Sequence, residues 1–125
     1  MPTIPSDAEL AILTVLWQAG PSTVREVHET LAKGTTYTST LKQMQLMCER
    51  GMLRRTERYR SHVYEPALSR EQVGARFADD LVHRVFAGSV RNLVLGALAG
   101  RRASPEDLTE IGRLLEKFED GSETE

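Results

Sequence analysis

The stretch that decides the fold is residues 36–66, which read TYTSTLKQMQLMCERGMLRRTERYRSHVYEP. Its first part has a helical pattern and stops at Gly51, a residue type that commonly follows the end of a helix. Two short β-like runs follow, MLRRTE and SHVYEP, and the basic turn Arg58-Tyr59-Arg60 joins them. The stretch therefore predicts a helix over about Thr38–Arg50 and then a β-hairpin.

The local charge of this stretch is opposite in sign to the charge of the whole chain. Between Tyr37 and His62 there are six Lys and Arg residues and two Glu residues, a net charge of +4, whereas the whole chain carries −2. A positive surface on a slightly acidic protein is expected where a protein binds phosphates. We therefore predict double-stranded DNA as a partner, although the isoelectric point is about 5.9.

The helix over Thr38–Arg50 is predicted to present one apolar and one polar face. At 100° per residue the inward face contains Tyr37, Leu41, Met44 and Cys48, with Thr40 and Met47 beside them. The outward face carries hydroxyl, ammonium, amide and guanidinium groups, which can contact base edges and phosphates, although an ordinary exposed helix is the alternative. The candidate DNA-binding residues are Tyr37, Thr38, Ser39, Lys42, Gln43, Arg50, Arg54, Arg58 and Arg60.

Two capping boxes predict the helices that come earlier in the chain. Ser6 and Thr23 each stand three residues before a Glu, the spacing at which the two residues cap a helix start reciprocally. The first helix should end at Gly20-Pro21 and the second near Gly34. With the helix that follows, they can form a three-helix core.

Composition changes after Pro66, where we place a domain boundary. Residues 1–66 carry a net charge of +1 and residues 67–125 a net charge of −3, so we assign DNA binding to the first domain. Caps at Ser69, Ser89 and Ser104 predict three further helices. Their apolar stripes cannot all be buried in one copy, which predicts a homodimer. The candidate dimerisation residues are Phe77, Leu81, Phe86, Leu93, Leu98, Leu108, Ile111 and Leu115.

Several classes of protein are disfavoured by the sequence. The chain shows no signal-peptide pattern and no apolar run long enough to cross a membrane, and its single cysteine, Cys48, fits a reducing compartment, so a cytoplasmic location is expected. His28-Glu29 begins like a zinc-protease helix, but the second histidine is missing, and Asp79 with His83 would supply too few ligands. We therefore expect no catalytic residues, no metal and no cofactor.

Three runs resemble the penicillinase-repressor family, which includes the β-lactamase and methicillin-resistance repressors and has copper-responsive relatives. They are LAILTVLWQAGPSTVREVHETL, YTSTLKQMQLMCERGML and SPEDLTEIGRLLEKF. The resemblance implies a mainly α-helical chain with a small β-hairpin. An N-terminal winged helix-turn-helix (residues 1–66) would precede a helical dimerisation region (residues 67–125). It also implies repression at a palindromic operator, and it adds a sensor protease as a candidate partner.

Some positions depart from the family pattern. Leu46 stands where a basic residue is common, and Tyr59-Arg60 replaces Gly-Arg in the wing. Gly96-Ala97 replaces the Asn-Phe bond whose cleavage inactivates the antibiotic-responsive members, so we expect a family-type sensor protease not to cut here. Two alternatives stay open: a regulator that responds to a small ligand held between helices, and a winged-helix module that binds only proteins.

Overall fold

The computed structural model describes residues 4–31, 34–100 and 104–119, of which residues 118 and 119 are described by backbone alone. The described part is mostly helical with one two-stranded antiparallel hairpin, which confirms the predicted fold class. Two compact units divide the chain, Met1–Asp79 and Asp80–Glu125. The elements in chain order are α1 Asp7–Ala19, α2 Val24–Thr30, α3 Tyr37–Glu49, β1 Leu53–Arg58, β2 Ser61–Pro66, α4 Arg70–Arg84, α5 Val90–Ala99 and α6 Pro105–Glu119.

The helix starts are where the caps predicted them. The Ser6 hydroxyl accepts a hydrogen bond from the Glu9 amide at 3.2 Å, and the Glu9 carboxylate accepts one from the Ser6 amide at 2.8 Å. Thr23 and Glu26 form the same reciprocal pair at the start of α2. Each pair satisfies two amides that the first turn of a helix leaves without partners. Ser69, Ser89 and Ser104 likewise accept from the amide three residues on, before α4, α5 and α6.

The core of the first unit joins the three N-terminal helices to the hairpin. Leu13, Val27, Met44 and Met47 have no solvent-accessible surface. Tyr64 of β2, 1% exposed, closes the core from the hairpin side.

The start of α4 also belongs to the first unit. Val73 is 2% exposed within the core of that unit, and Phe77 packs against it. The indole N–H of Trp17 donates to the Leu68 carbonyl at 3.0 Å, and the Arg70 guanidinium lies 5.2 Å from the centre of the Trp17 ring. The compact unit thus continues beyond residue 66, and the functional division at that residue stays a prediction.

The hairpin is anchored to the loop between α1 and α2. The amide of Ser22 donates to the Tyr64 carbonyl at 3.0 Å, and the amide of Tyr64 donates to the Ser22 carbonyl at 2.8 Å. This antiparallel bridge adds a short third partner to the two strands. It fixes the base of the hairpin to the helical core while the tip projects into solvent.

In the second unit, the described side chains of α5 and α6 include none that is fully buried. Phe86 lies close against α5, because a Cβ atom at Gly96 would approach its Cζ atom to 3.2 Å. Large apolar side chains remain exposed along these helices and the end of α4: Leu81, Val85, Val90, Leu95, Leu108, Leu114 and Leu115. In the described ranges no helix combines the length and the apolarity that crossing a membrane requires.

Candidate nucleic-acid interface

The buried side of α3 differs from the predicted one. Thr40, Met44 and Met47 are at most 1% exposed and form the inward stripe. Leu41 and Cys48, which were predicted to lie inward, are only half-buried. The actual orientation corresponds to a roll of the helix by roughly 60° from the predicted one, at 3.6 residues per turn. The predicted inward face was therefore wrong in its centre. Of the four residues predicted there, only Met44 lies in the observed buried stripe.

Local hydrogen bonds explain why a threonine occupies the centre of the buried stripe. The Thr40 hydroxyl lies 3.3 Å from the Thr36 carbonyl oxygen, to which it donates, and 3.0 Å from Nδ1 of His28. A buried hydroxyl with such partners carries little desolvation penalty. Tyr37 is instead 38% exposed and lies against α2, edge-on to His28 and 5.0 Å from the guanidinium of Arg25.

The solvent face of α3, opposite the buried stripe, consists of Thr38, Lys42, Gln45 and Glu49, and all four are exposed. Thr38 and Lys42 were among the predicted DNA-binding residues, whereas Gln45 was not. The signal that could have found Gln45 is the spacing of Thr40, Met44 and Met47, which are i, i+4 and i+7 and so share one face. Counting Thr40 as a core position would have directed Gln45 outward.

Gln43 and Arg50 are directed towards α1 instead. The Glu9 side chain is 4% exposed, and its Oε2 accepts from Arg50 Nη1 at 2.8 Å and from Gln43 Nε2 at 3.4 Å. Its Oε1 caps α1. A buried carboxylate is tolerated only when it is paired and hydrogen-bonded, so both partners are needed where they are. Their predicted contacts with DNA stay predictions, but these bonds show that the two side chains position α3.

The hairpin carries one arginine that forms an ion pair and three for which the described residues provide no ion-pair partner. Across the strands, Arg54 lies opposite Glu65, and its Nε is 3.3 Å from Glu65 Oε2. In the described part of the chain no carboxylate forms an ion pair with Arg55, Arg58 or Arg60, all of which are exposed. The positive charge left without compensation is therefore at Arg55 and at the tip of the hairpin.

An open cleft of about 580 Å³ lies between the solvent face of α3 and β1. It is lined by Gln45, Cys48, Glu49, Leu53 and Arg55. Burial raises the pKa of the Cys48 thiol, and the positive charge of Arg55 offsets only part of that rise. The thiol therefore stays neutral at physiological pH and adds no negative charge to this surface. The cleft brings the exposed amide of Gln45 and an unpaired guanidinium to the same place.

A second cleft, of about 420 Å³, lies on the other side of α3. Ala8, Ala11 and Ile12 line it from α1, and Thr36 and Ser39 line it from the start of α3. Ser39, predicted to bind DNA, therefore borders this cleft as well as solvent. Its walls are mainly apolar with hydroxyl groups at one side, a composition that suits a small organic molecule.

The predicted dimerisation residues fall into three groups by exposure. Phe77 packs on the core of the first unit. Leu81, Leu108 and Leu115 are exposed, with Leu115 at 52%. The half-buried members are Phe86, Leu93, Leu98 and Ile111. The exposed group is the one that a second copy could cover.

The comparison with known proteins now decides the family. The family model described as "Penicillinase repressor" matches residues 5–117. The chain belongs to the penicillinase repressor family. A member of that family from Bacillus licheniformis, named "Penicillinase repressor", is 27% identical over 114 residues, which cover 90% of this chain and 89% of that protein. Membership confirms the resemblance found in the sequence and makes the chain a transcriptional repressor by family.

The penicillinase repressor match covers nearly all of the first unit and most of the second, so the family resemblance extends over both units. Within the described residues of this family member, no group of three or more His, Cys, Asp or Glu side chains is placed to hold a metal ion. The chemistry on the surface of the first unit is that of hydrogen bonding and charge. It fits recognition of a polyanion.

Proposed function

We propose that the chain is a homodimeric transcriptional repressor that binds double-stranded DNA at a palindromic operator. The observation that carries this proposal is the surface of the first unit, where Gln45 of the solvent face of α3 and the unpaired Arg55 of β1 line one cleft. Exposed amide and ammonium groups on a helix can contact base edges in the major groove, while guanidinium groups neutralise phosphates. Membership of the penicillinase repressor family supports the same function.

In the proposed complex, α3 lies in the major groove with Thr38, Lys42 and Gln45 towards the bases. Arg55, Arg58 and Arg60 contact the phosphate backbone beside the groove. Arg50 and Gln43 keep their bonds to Glu9 and so hold α3 at a fixed roll.

Dimerisation follows from the size of this surface and from the second unit. A single small DNA-binding module buries roughly 600–1,000 Å² of protein surface on DNA, which seldom gives specific affinity by itself. The exposed leucines of the second unit, among them Leu108, Leu114 and Leu115, supply an apolar surface for a second copy. Two copies related by a twofold axis would then read two half-sites of one operator.

The proposal is tested by nuclease protection of the repressor's own promoter region at low salt, followed by titration of the protected fragment. Matched substitutions, Gln45→Ala and Gln43→Ala, then test the reading face. Gln45→Ala should weaken binding to the protected fragment by about 1–3 kcal/mol and affect unrelated DNA less, since a base contact is lost. Gln43→Ala should weaken binding to the fragment and to unrelated DNA by similar and smaller amounts, because it loosens the contact of α3 with Glu9 and removes no base contact.

Two outcomes would count against these assignments. If the wild-type protein protects no part of its promoter, the DNA-binding function fails and a module that binds only proteins is favoured. If Gln45→Ala weakens binding equally on the fragment and on unrelated DNA, Gln45 contacts the backbone and does not read sequence.

A second candidate function is repression regulated by a small ligand, and the 420 Å³ cleft beside α3 favours it. A molecule bound against Ala8, Ala11 and Ser39 would border the DNA-facing helix. Binding in this cleft is tested by screening a library of small aromatic amides for compounds that raise the Tm. Each such compound is then tested on Ala11→Phe, a variant that narrows the cleft. A stabilising compound should lose its effect in Ala11→Phe, and stabilisation that persists in the variant would place the compound elsewhere.

A further inference from the structure

The tip of the hairpin has an unusual backbone for its residues. Arg58 pairs with Ser61, so the connection contains only Tyr59 and Arg60. Their φ angles are 53° and 69°, both in the left-handed region. A two-residue loop with positive φ at both positions favours sequences such as Asn-Gly, because other side chains are strained there. Two large side chains are therefore held at the tip at the expense of fold stability.

The Tyr59 side chain does not contribute to the fold in return. It is 93% exposed, far more than any other large apolar side chain described. No hydrogen bond or ring contact is recorded for it within the described residues. A turn selected only to connect β1 and β2 would gain stability from Gly or Asn at this position. The exposed ring thus calls for a role outside the folded chain.

The surroundings of the ring indicate what it contacts. Arg58 and Arg60 flank it, and neither has an ion-pair partner among the described residues. An aromatic ring between two uncompensated guanidinium groups suits a sugar-phosphate chain: the cations neutralise phosphates, the ring packs on a sugar, and the phenol donates to a phosphate oxygen. Contact with an apolar protein surface would instead be unfavourable, because the two charges would lose their hydration without gaining a partner.

We propose that Tyr59 is a DNA-contact residue of the wing, packing its ring on the backbone of the operator and donating its hydroxyl to a phosphate. The inference rests on the proposed DNA-binding function and adds a neutral contact to the basic ones. Loss of Tyr59 should therefore change DNA affinity and fold stability in opposite directions. Removal of the ring should weaken DNA binding while it relieves strain in the free protein.

Three variants of the full chain test this: Tyr59→Asn, Tyr59→Gly and Tyr59→Phe. Asn and Gly tolerate positive φ, so their Tm should equal or exceed that of the wild type by up to about 4 °C. Their affinity for the protected promoter fragment should fall about fivefold, with Tyr59→Phe between them and the wild type. Because tyrosine is uncharged, the slope of log K against log salt should not change.

Each result supports or overturns the proposal. Wild-type affinity in Tyr59→Asn and Tyr59→Gly would overturn it. So would a loss of affinity accompanied by a lower Tm in both variants, since the loss would then follow from a damaged wing. A wild-type protein that binds no DNA would refute the proposed function itself, a result that is distinguishable because it appears before any variant is compared.

Discussion

A fragment that ends at Asp79 should be monomeric and should bind its operator about a hundred- to ten-thousandfold more weakly than the full chain, because it cannot hold the second half-site at high effective concentration. The fragment keeps the Leu68 carbonyl that accepts from Trp17 and the buried Val73, so its core remains complete. A cut at residue 66 would remove both. Sedimentation gives the oligomeric state, and fluorescence anisotropy gives the affinity.

A matched pair of substitutions in the full chain controls for damage caused by truncation. Leu115 and Glu116 are neighbours on α6, and both are exposed. Leu115→Glu should dissociate the dimer and reproduce the weak binding of the fragment, because a charge buried in an apolar interface is costly. Glu116→Gln should leave both properties unchanged. A dimeric fragment, or a monomeric one that binds as tightly as the full chain, would disprove the role assigned to the second unit.

Replacing Arg58 and Arg60 together with alanine should weaken binding to every DNA sequence and flatten the slope of log K against log salt by about two units, since each lost phosphate contact removes about 0.9. These guanidinium groups have no ion-pair partner in the described part of the chain, so their full charge is available to DNA. Titrations at several salt concentrations, on the operator and on unrelated DNA, measure both effects.

Arg54→Ala is the matched control for the wing. Arg54 lies on the same hairpin but is 3.3 Å from Glu65, and its removal frees that carboxylate. Because Arg54 already bonds Glu65, we expect it to make no phosphate contact, so its loss should change the salt slope by less than the double variant does. If the double variant kept the wild-type slope, the arginines at the tip would not contact phosphates.

Much of the fold could be predicted because it is encoded locally. A serine or threonine three residues before a Glu specifies a helix start through bonds within one turn, and the boxes at Ser6 and Thr23 are present with those bonds. β2 was predicted as Ser61–Pro66, which are its bounds, and β1 begins one residue later than predicted. These features need no information about distant parts of the chain.

The solvent face of α3 was predicted less well than the helix bounds, because contacts with other elements determine which side of the helix is buried. Gln43 and Gln45 are chemically identical, but Gln43 lies on the side of α3 that faces Glu9 of α1, whereas Gln45 lies opposite the buried stripe. Hydrophobicity alone ranks Leu41 and Cys48 above Thr40 as core residues. The bonds from Thr40 to Thr36 and His28 reverse that order, and the bond to His28 depends on where α2 packs.

The wing illustrates a different limit of sequence reading. Left-handed backbone is normally signalled by Gly or Asn, and the tip contains neither, so its conformation at Tyr59 and Arg60 gave no sign in the sequence. The bridge from Ser22 to Tyr64 was also not predicted, since a single residue pair has no periodicity. The first feature sets the shape of the hairpin tip, and the second fixes the hairpin to the rest of the first unit. Neither can be recognised before the folded structure is known.

The two oxygens of Glu9 serve opposite ends of the first unit's helical core, one setting where α1 begins and the other receiving Arg50 after the last turn of α3. The roll of α3 about its axis is thus tied to the first turn of α1. Residues 9 and 50 should consequently diverge as a pair among relatives, with changes at either one accompanied by a compensating change at the other. In this way the buried Glu9 carboxylate would influence which operator sequences the relatives bind.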